Sequence, residues 1–192
     1  MNKGGDKHMI KVIALDLGGV LVTEKDIELS EKEDQLERFF GKNISDGEYA
    51  QMVKHIVSSQ EKALLLAREI ILKLYEPKDS AIFDKLHQKY PSLTLCIATN
   101  HLSFIEEYIE KTFPKEYLAE VFISANMHIA KPDIDFYNYI TEKLGYSPKE
   151  VLFVDDRIEN VEAAQKAQMN GLLIKKDDDV FDKICEYLQP KN

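Results

Sequence analysis

The chain has 192 residues, of which 44% are hydrophobic and 31% are charged, and this is the composition of an ordinary globular protein with one domain and a modest insert. A net charge of −9, without a long run of Lys or Arg, excludes nucleic acid and anionic membrane surfaces as expected partners. No apolar stretch approaches the length of a membrane span and no signal peptide is visible, so a cytoplasmic protein is expected. Cys96 and Cys185 lie in apolar segments and are predicted to be buried, reduced thiols.

The first third of the chain predicts one strand followed by a group of helices. Residues 1–8 are polar and glycine-rich, and we interpret them as an expression remnant or a native tail outside the fold. Residues 10–22 form a nearly continuous apolar run, which is typical of a parallel strand covered on both faces. Residues 24–76 are charged and helix-favouring. They predict helices over about 30–40, from Ser45 to about Ser58, and along the segment EKALLLAREIILKLY.

After Pro77 the pattern alternates between helix and strand. The predicted strands are LTLCIA, VFIS, VLFV and LLI, and helices are predicted near 79–90, 103–111, 133–144, 158–169 and 179–188. Such alternation predicts an α/β fold with a doubly wound parallel sheet. We therefore expect a core made of residues 9–23 and 77–192, with residues 24–76 as a small helical cap domain.

Polar residues follow four of the predicted strands, where an open parallel sheet binds its ligands. The first strand ends in Asp16 and the second in Thr99 and Asn100. The third is followed by Lys131, and the fourth ends in Asp155 and Asp156. Each position alone fits a turn or a helix cap, but all four in this order predict a common site.

This set of residues suits phosphoryl transfer through a carboxylate. Asp16 could accept a phosphoryl group, with Lys131 neutralising a phosphate oxygen. Mg²⁺ could bind the carboxylates of Asp16 and Asp155 and the carbonyl oxygen of Gly18. The remaining phosphate oxygens could be bound by the Thr99 hydroxyl and by backbone N–H groups of Gly18, Gly19 and Asn100.

The motifs VIALDLGGVL, CIATN, AKPDIDFY and SPKEVLFVDDRIENVEAAQKAQMNGLLI, in this order, resemble the haloacid dehalogenase superfamily. The resemblance is to its phosphatase-like branch, which carries a helical cap after the first strand. It implies a Rossmann-like core, a Mg²⁺ ion and an aspartyl-phosphate intermediate. By position, it implies Asp16 as the nucleophile, Thr99 and Lys131 as the phosphate-binding pair, Asp155 as a metal ligand and Asp156 as a water-mediated ligand.

The chain departs from the family pattern two residues after the nucleophile, where related phosphatases carry a second aspartate that protonates the leaving group. Here the residue is Gly18, which makes the first motif a DxG variant. One interpretation is a phosphatase of small phosphorylated metabolites, sugar phosphates among them, in which another group supplies the proton or the leaving group needs little help. A second is a weak or inactive relative that binds phosphorylated ligands or a protein partner. A third is a 2-haloacid dehalogenase, although that branch usually has an aromatic residue at this position.

Further residues near the predicted site have weaker assignments. Glu24 is a candidate proton donor and Arg157 a candidate anion contact, but both fit ordinary charged loop positions. His101 is expected to face water at a helix start, and His128 to lie in a surface loop. The substrate would be selected by residues 24–76 and adjoining loops. The chain is expected to be a monomer or, through an apolar cap surface, a homodimer.

Overall fold

A computed structural model describes residues 9–189, so the predicted tail at 1–8 lies outside the described residues. The first half of this range contains β1 (Val12–Leu15), β2 (Val22–Glu24), α1 (Glu31–Glu37), α2 (Asp46–Met52), α3 (Gln60–Leu74), β3 (Tyr75–Pro77), α4 (Ile82–Lys89) and β4 (Thr94–Thr99). The second half contains α5 (Ile105–Thr112), β5 (Leu118–Ile123), α6 (Ser124–Met127), α7 (Ile134–Leu144), β6 (Val151–Asp155), α8 (Ile158–Lys166), β7 (Asn170–Leu173) and α9 (Val180–Leu188).

Five strands form one parallel sheet in the order β5-β4-β1-β6-β7. The central strand β1 is fully buried, and its side chains divide between two hydrophobic cores on opposite faces of the sheet. Ile13 and Leu15 belong to one core and Val12 and Ala14 to the other. Because neighbouring side chains in a strand point to opposite faces, a continuous apolar run is what a sheet covered on both sides requires. The predicted Rossmann-like α/β sheet is confirmed.

The helices α1–α3 lie in the chain between two short strands, β2 and β3. These strands pair antiparallel, with Val22 opposite Pro77, and form a separate two-stranded sheet. The helix predicted to begin at Ser45 is α2, and Ser45 and Glu48 form a capping box at its start. The division of the chain at residues 24 and 76 stays a prediction.

The three helix ends in this segment differ from the sequence-based expectation, and α1 already ends at Glu37 and not near residue 40. Helix α2 ends at Met52 and not near Ser58, because the chain turns there and buries Val53 and Val57. Helix α3 ends at Leu74, since Tyr75 adopts extended backbone angles (φ −85°, ψ 141°) and enters β3. The end of α3 matters for the site, because β3 places the Tyr75 ring beside His101.

The predicted state of both cysteines is confirmed, since Cys96 and Cys185 are free and buried. Within residues 9–189, none of the helices combines the length and apolar character that a bilayer crossing demands.

Candidate active site

The centre of the candidate site is a buried cluster of one ammonium and two carboxylate groups. Nζ of Lys131 lies 2.7 Å from Oδ1 of Asp16 and 2.8 Å from Oδ2 of Asp155. Asp16 follows β1 and Asp155 ends β6, so the two neighbouring parallel strands deliver both carboxylates to the same sheet edge. Lys131 approaches from the loop before α7, and its side chain is only 1% exposed. A buried charge set of this kind is stable only when its members are paired.

Asp155 is also fixed by groups on its other side. The side-chain amide of Asn160 donates to both carboxylate oxygens of Asp155, at 2.9 and 3.0 Å, and the backbone N–H of Arg157 donates to Oδ1 at 2.9 Å. Asn160 lies on α8 and is itself buried. These bonds hold Asp155 in one orientation, and sequence reasoning did not single out Asn160, which appears there as one polar residue of an amphipathic helix.

The electrostatic environment of Asp16 is unbalanced in the absence of a further cation. Burial raises the pKa of Asp16 to about 7, with Lys131 opposing this rise and the negative charge of Asp155 adding to it. Burial and the charge of Asp155 also raise the pKa of Asp156. When ionised, the three carboxylates carry more negative charge than Lys131 alone neutralises.

The donor set fits a hard divalent cation such as Mg²⁺. Asp16, Asp155 and Asp156 can each offer a carboxylate oxygen, and these three atoms all lie within 4.8 Å of one another. Oxygen ligands from one or two carboxylates, completed by water or phosphate oxygens, are what Mg²⁺ prefers. The carboxylates that the family resemblance implies as metal ligands thus lie together, while their role in metal binding stays a prediction.

The two glycines after Asp16 have different surroundings. A Cβ atom at Gly18 would have no heavy atom within 4 Å, whereas one at Gly19 would lie 2.1 Å from Oδ2 of Asp156. Gly19 also has a positive φ of 73°, which favours glycine. Its N–H donates to the carbonyl of Val22 at 2.9 Å, and its carbonyl accepts from Lys78 at 2.9 Å. The Gly19 N–H predicted to bind phosphate is therefore engaged within the chain in this structure.

Thr99 ends β4, the strand next to β1, and Asn100 follows it. Thr99 is buried, with 3% of its surface exposed, and lines the cleft above Asp16. The side chain of Asn100 bonds the backbone of Lys131 twice, donating to its carbonyl at 2.8 Å and accepting from its N–H at 2.9 Å. The Asn100 side chain thus positions the lysine loop, a role that a motif-based assignment to phosphate binding did not include.

A cleft of about 280 Å³ opens above these groups. The predicted residues that line it are Asp16, Gly18, Thr99, Asn100, Lys131 and Asp156. Asp155 is fully buried beneath them, and Gly19 lines a neighbouring groove that also contacts Asp156. The segment between β2 and β3, with the strands themselves, contributes Glu24, Glu37, Phe40, Gly41 and Tyr75. The cleft is therefore bounded by the sheet edge on one side and by the helical segment on another.

The prediction that His101 faces water is wrong, because the helical segment covers it. His101 is 4% exposed, and its ring centroid lies 5.6 Å from that of Phe40 and 6.1 Å from that of Tyr75. Its Nδ1 lies 3.2 Å from the carbonyl oxygen of Leu102 and its Nε2 lies 3.4 Å from the Tyr75 hydroxyl. Burial lowers the pKa of His101 to about 4, so we assign a neutral ring whose Nδ1–H donates and whose Nε2 accepts.

The other residues named from the sequence fall in two groups. Glu24 and Arg157 both line the cleft, and their suggested roles stay predictions. His128 is exposed, as expected, at the left-handed residue that ends α6. One contact between the helical segment and the core had no sequence signal: Asp46 accepts hydrogen bonds from the N–H of Ser103, at 2.9 Å, and from its hydroxyl.

The parallel α/β fold, with a buried acid–lysine cluster at the carboxyl ends of its strands, is that of a haloacid dehalogenase-like hydrolase. Residues 13–174 match the family of haloacid dehalogenase-like hydrolases, and the chain belongs to this family.

Three known proteins illustrate the similarity. The sesquiterpene phosphatase AstK of Aspergillus oryzae is 44% identical over 52 residues, which are 27% of this chain and 26% of that protein. The match thus spans about a quarter of the length of this curated relative. A HAD family enzyme of Bacteroides thetaiotaomicron, BT-2542, solved with magnesium and inorganic phosphate, superposes with a TM-score of 0.68 at 20% identity over 88% of this chain and 96% of its own. A predicted HAD-like hydrolase of Porphyromonas gingivalis gives 0.73 at 18% identity over 95% and 100%. At these identities, the two structures establish the shared fold.

Proposed function

We propose that the protein is a Mg²⁺-dependent phosphatase that hydrolyses small phosphorylated metabolites, sugar phosphates among them, through an aspartyl-phosphate at Asp16. The observation that carries this proposal is the buried ion cluster of Asp16, Lys131 and Asp155 beneath a cleft. The magnesium and phosphate bound by a protein of the same fold, and the phosphatase among the relatives, support it.

The hydrogen bonds of Asp16 favour Oδ2 as the oxygen that attacks. Oδ1 accepts from Nζ of Lys131 and from the N–H of Leu17, both at 2.7 Å. Within residues 9–189, Oδ2 accepts no hydrogen bond and is left as the nucleophile. Oδ2 forms a bond to phosphorus while the ester oxygen departs with its electron pair and takes up a proton. Water then attacks the phosphorus of the aspartyl-phosphate, which releases inorganic phosphate and restores Asp16.

The residues around Asp16 would hold the phosphate during both steps. Lys131, the Thr99 hydroxyl and the backbone N–H groups of Gly18 and Asn100 surround the position that the phosphate oxygens would take. Mg²⁺, held by Asp16, Asp155, Asp156 and the Gly18 carbonyl, would supply positive charge between the carboxylates and the phosphate. Asp155 in turn keeps the Lys131 ammonium oriented toward Asp16.

Residues 24–76 act in this proposal as a cap over the leaving-group side of the cleft. Five residues of this segment line the cleft beside Asp16. Related phosphatases carry the acid that protonates the leaving group two residues after the nucleophile, and in this chain that residue is Gly18. A leaving group of low basicity, such as an anomeric sugar oxygen, needs little proton donation, and this is the substrate class we favour.

Gly18 is also the observation that favours a second function, a catalytically weak relative that binds phosphorylated ligands. General acid catalysis typically contributes about 10²–10⁴-fold, so its loss would leave binding intact and turnover slow. Release of phosphate from a panel of metabolites, with Mg²⁺ and with a chelator, separates the two. Measurable ligand binding without release from any member would establish the second function in place of the first.

The phosphatase proposal is tested by Asp16→Asn, which removes the nucleophile and keeps the side-chain shape. We expect hydrolysis of a generic aryl phosphate to fall to background while the circular dichroism spectrum is unchanged. The matched control is Asp26→Asn, the same change at an exposed loop position away from the cleft. Undiminished turnover by the Asp16 variant would remove this residue from the mechanism.

A further inference from the structure

Two carboxylates, Glu24 and Glu37, line the cleft from the side of the helical segment. Glu24 ends β2 and Glu37 ends α1. In the described part of the chain, residues 9–189, neither carboxylate has an ion-pair partner. Their neighbours do, because Asp34 pairs with Arg38 and Glu33 lies 3.0 Å from Lys73. Arg38 and Lys73 thus pair with Asp34 and Glu33, which do not line the cleft.

The two carboxylates act on each other and on whatever enters the cleft. Burial raises the pKa of Glu37, and the negative charge of Glu24 raises it further. The positive charge of Arg38 opposes this rise, and a positive charge or hydrogen-bond donor that enters the cleft would reduce the repulsion further.

The cations that line the cleft do not supply this compensation. Lys131 is bound by Asp16 and Asp155, at 2.7 and 2.8 Å. Arg157 also lines the cleft, but its guanidinium is largely exposed and lies 3.8 Å from Glu159, and it forms no ion pair with Glu24 or Glu37 within residues 9–189. The wall that receives the leaving group is thus acidic, whereas the floor that receives the phosphate holds the lysine.

We propose that Glu24 and Glu37 select phosphate esters whose leaving group offers O–H or N–H donors and carries no negative charge. Ionised carboxylates only accept hydrogen bonds, so hydroxyl or ammonium groups satisfy them, whereas a carboxylate or a second phosphate is repelled. The ring of Phe40, on the same wall, would contact the carbon atoms of such a group. This inference rests on the phosphatase function proposed above and names its substrate class.

Equilibrium binding of three non-hydrolysable phosphonates to the Mg²⁺-loaded protein tests the selection without requiring turnover. The probes are 2-aminoethylphosphonate, 2-hydroxyethylphosphonate and phosphonoacetate, which differ in the charge of the group beyond the phosphonate. By calorimetry we expect the first two to bind at least about tenfold more tightly than phosphonoacetate, a difference that one unfavourable charge contact supplies. Competition with inorganic phosphate would show that each probe occupies the same site.

The double variant Glu24→Gln and Glu37→Gln should remove this discrimination by strengthening phosphonoacetate binding about tenfold. The control Glu31→Gln removes the same charge from the first turn of α1, outside the cleft, and should leave the order of affinities unchanged. Equal affinities in the wild type, unchanged discrimination in the double variant, or no binding of any probe would each overturn the proposal. Binding selectivity without phosphate release would instead contradict the phosphatase function and leave the selection standing.

Discussion

The side chain of Asn100 binds both backbone polar groups of Lys131: its amide nitrogen donates to the lysine carbonyl and its oxygen accepts from the lysine N–H. The ammonium of this lysine is the only cation within 4.0 Å of Asp16 and Asp155 in the described part of the chain. The ends of three neighbouring strands are thus connected, because Asn100 follows β4 and fixes the loop whose lysine pairs with the acids that follow β1 and end β6.

Replacement of Asn100 by Ala should lower both stability and activity. Two partly buried hydrogen bonds are lost, which predicts about 1–3 kcal/mol less free energy of unfolding. The Lys131 ammonium also loses its fixed position, so kcat for an aryl phosphate should fall by more than stability alone explains.

The control for this variant is Asn170→Ala. Asn170 likewise donates to backbone carbonyls, of Lys149 at 2.8 Å and Val151 at 3.2 Å, but lies away from the cleft. We expect it to lose stability in urea unfolding and to keep its kcat at a temperature where it is folded. Equal losses of kcat in the two variants would contradict a positioning role for Asn100.

Gly18→Asp should restore a proton donor beside Asp16. The site has room for the side chain, since a Cβ atom at Gly18 meets nothing within 4 Å. The leaving group of an alkyl phosphate is a strongly basic alkoxide, whereas that of an aryl phosphate is a weakly basic phenoxide. The variant should therefore accelerate hydrolysis of alkyl phosphates by up to about 10²-fold and of aryl phosphates much less. Gly18→Asn has the same shape without the acid and should accelerate neither. Equal effects on both substrate types would show that leaving-group protonation is not what Gly18 changes.

Gly19→Ala should weaken Mg²⁺ binding, because the new methyl group would occupy the place of the Asp156 carboxylate. Displacing a group that supports a metal site typically costs about 10–100-fold in affinity, which titration calorimetry with Mg²⁺ would detect. Gly145→Ala is the matched control. It has nearly the same positive φ, 72° against 73°, but nothing within 4 Å of the added carbon. Both variants should lose about 1–2 kcal/mol of stability from the backbone, and only the first should lose metal.

The buried neutral His101 predicts a pH dependence of stability. Its folded pKa of about 4 lies below the ordinary value of 6.5, so the unfolded chain binds the proton first as the pH falls. The contribution of the neutral His101 ring to the free energy of unfolding is complete above pH 6.5. It falls by about 3 kcal/mol as the pH is lowered to 4. His101→Phe should therefore flatten the decline in free energy of unfolding over this range. The same substitution at exposed His55 serves as the reference, and parallel curves for the wild type and the His101 variant would refute the assignment.

The sequence predicted what depends on one segment at a time. The apolar run through Ile13 and Leu15 could only be a strand with both faces covered, and the polar residues after each strand had to meet at one edge. What it could not predict depends on contacts between distant segments. Val22–Glu24 and Tyr75–Pro77 are three-residue strands that exist only because they pair across some fifty residues of chain. The same pairing places Tyr75 against His101. The sequence around His101 could not predict this contact, because Tyr75 comes from a distant segment on the other side of the cleft.

The pairing of β2 with β3 brings together the two ends of the segment that contains α1–α3. Val22 lies opposite Pro77, at about the 4.8 Å spacing of neighbouring strands. Because both ends are already side by side, a longer, shorter or unrelated insertion could be spliced there without moving β1 or the acid that follows it. The residues that carry out the reaction and the residues that select the ester can therefore change independently. Grafting the segment between β2 and β3 from one relative onto another is a rational way to change the substrate specificity of such a protein.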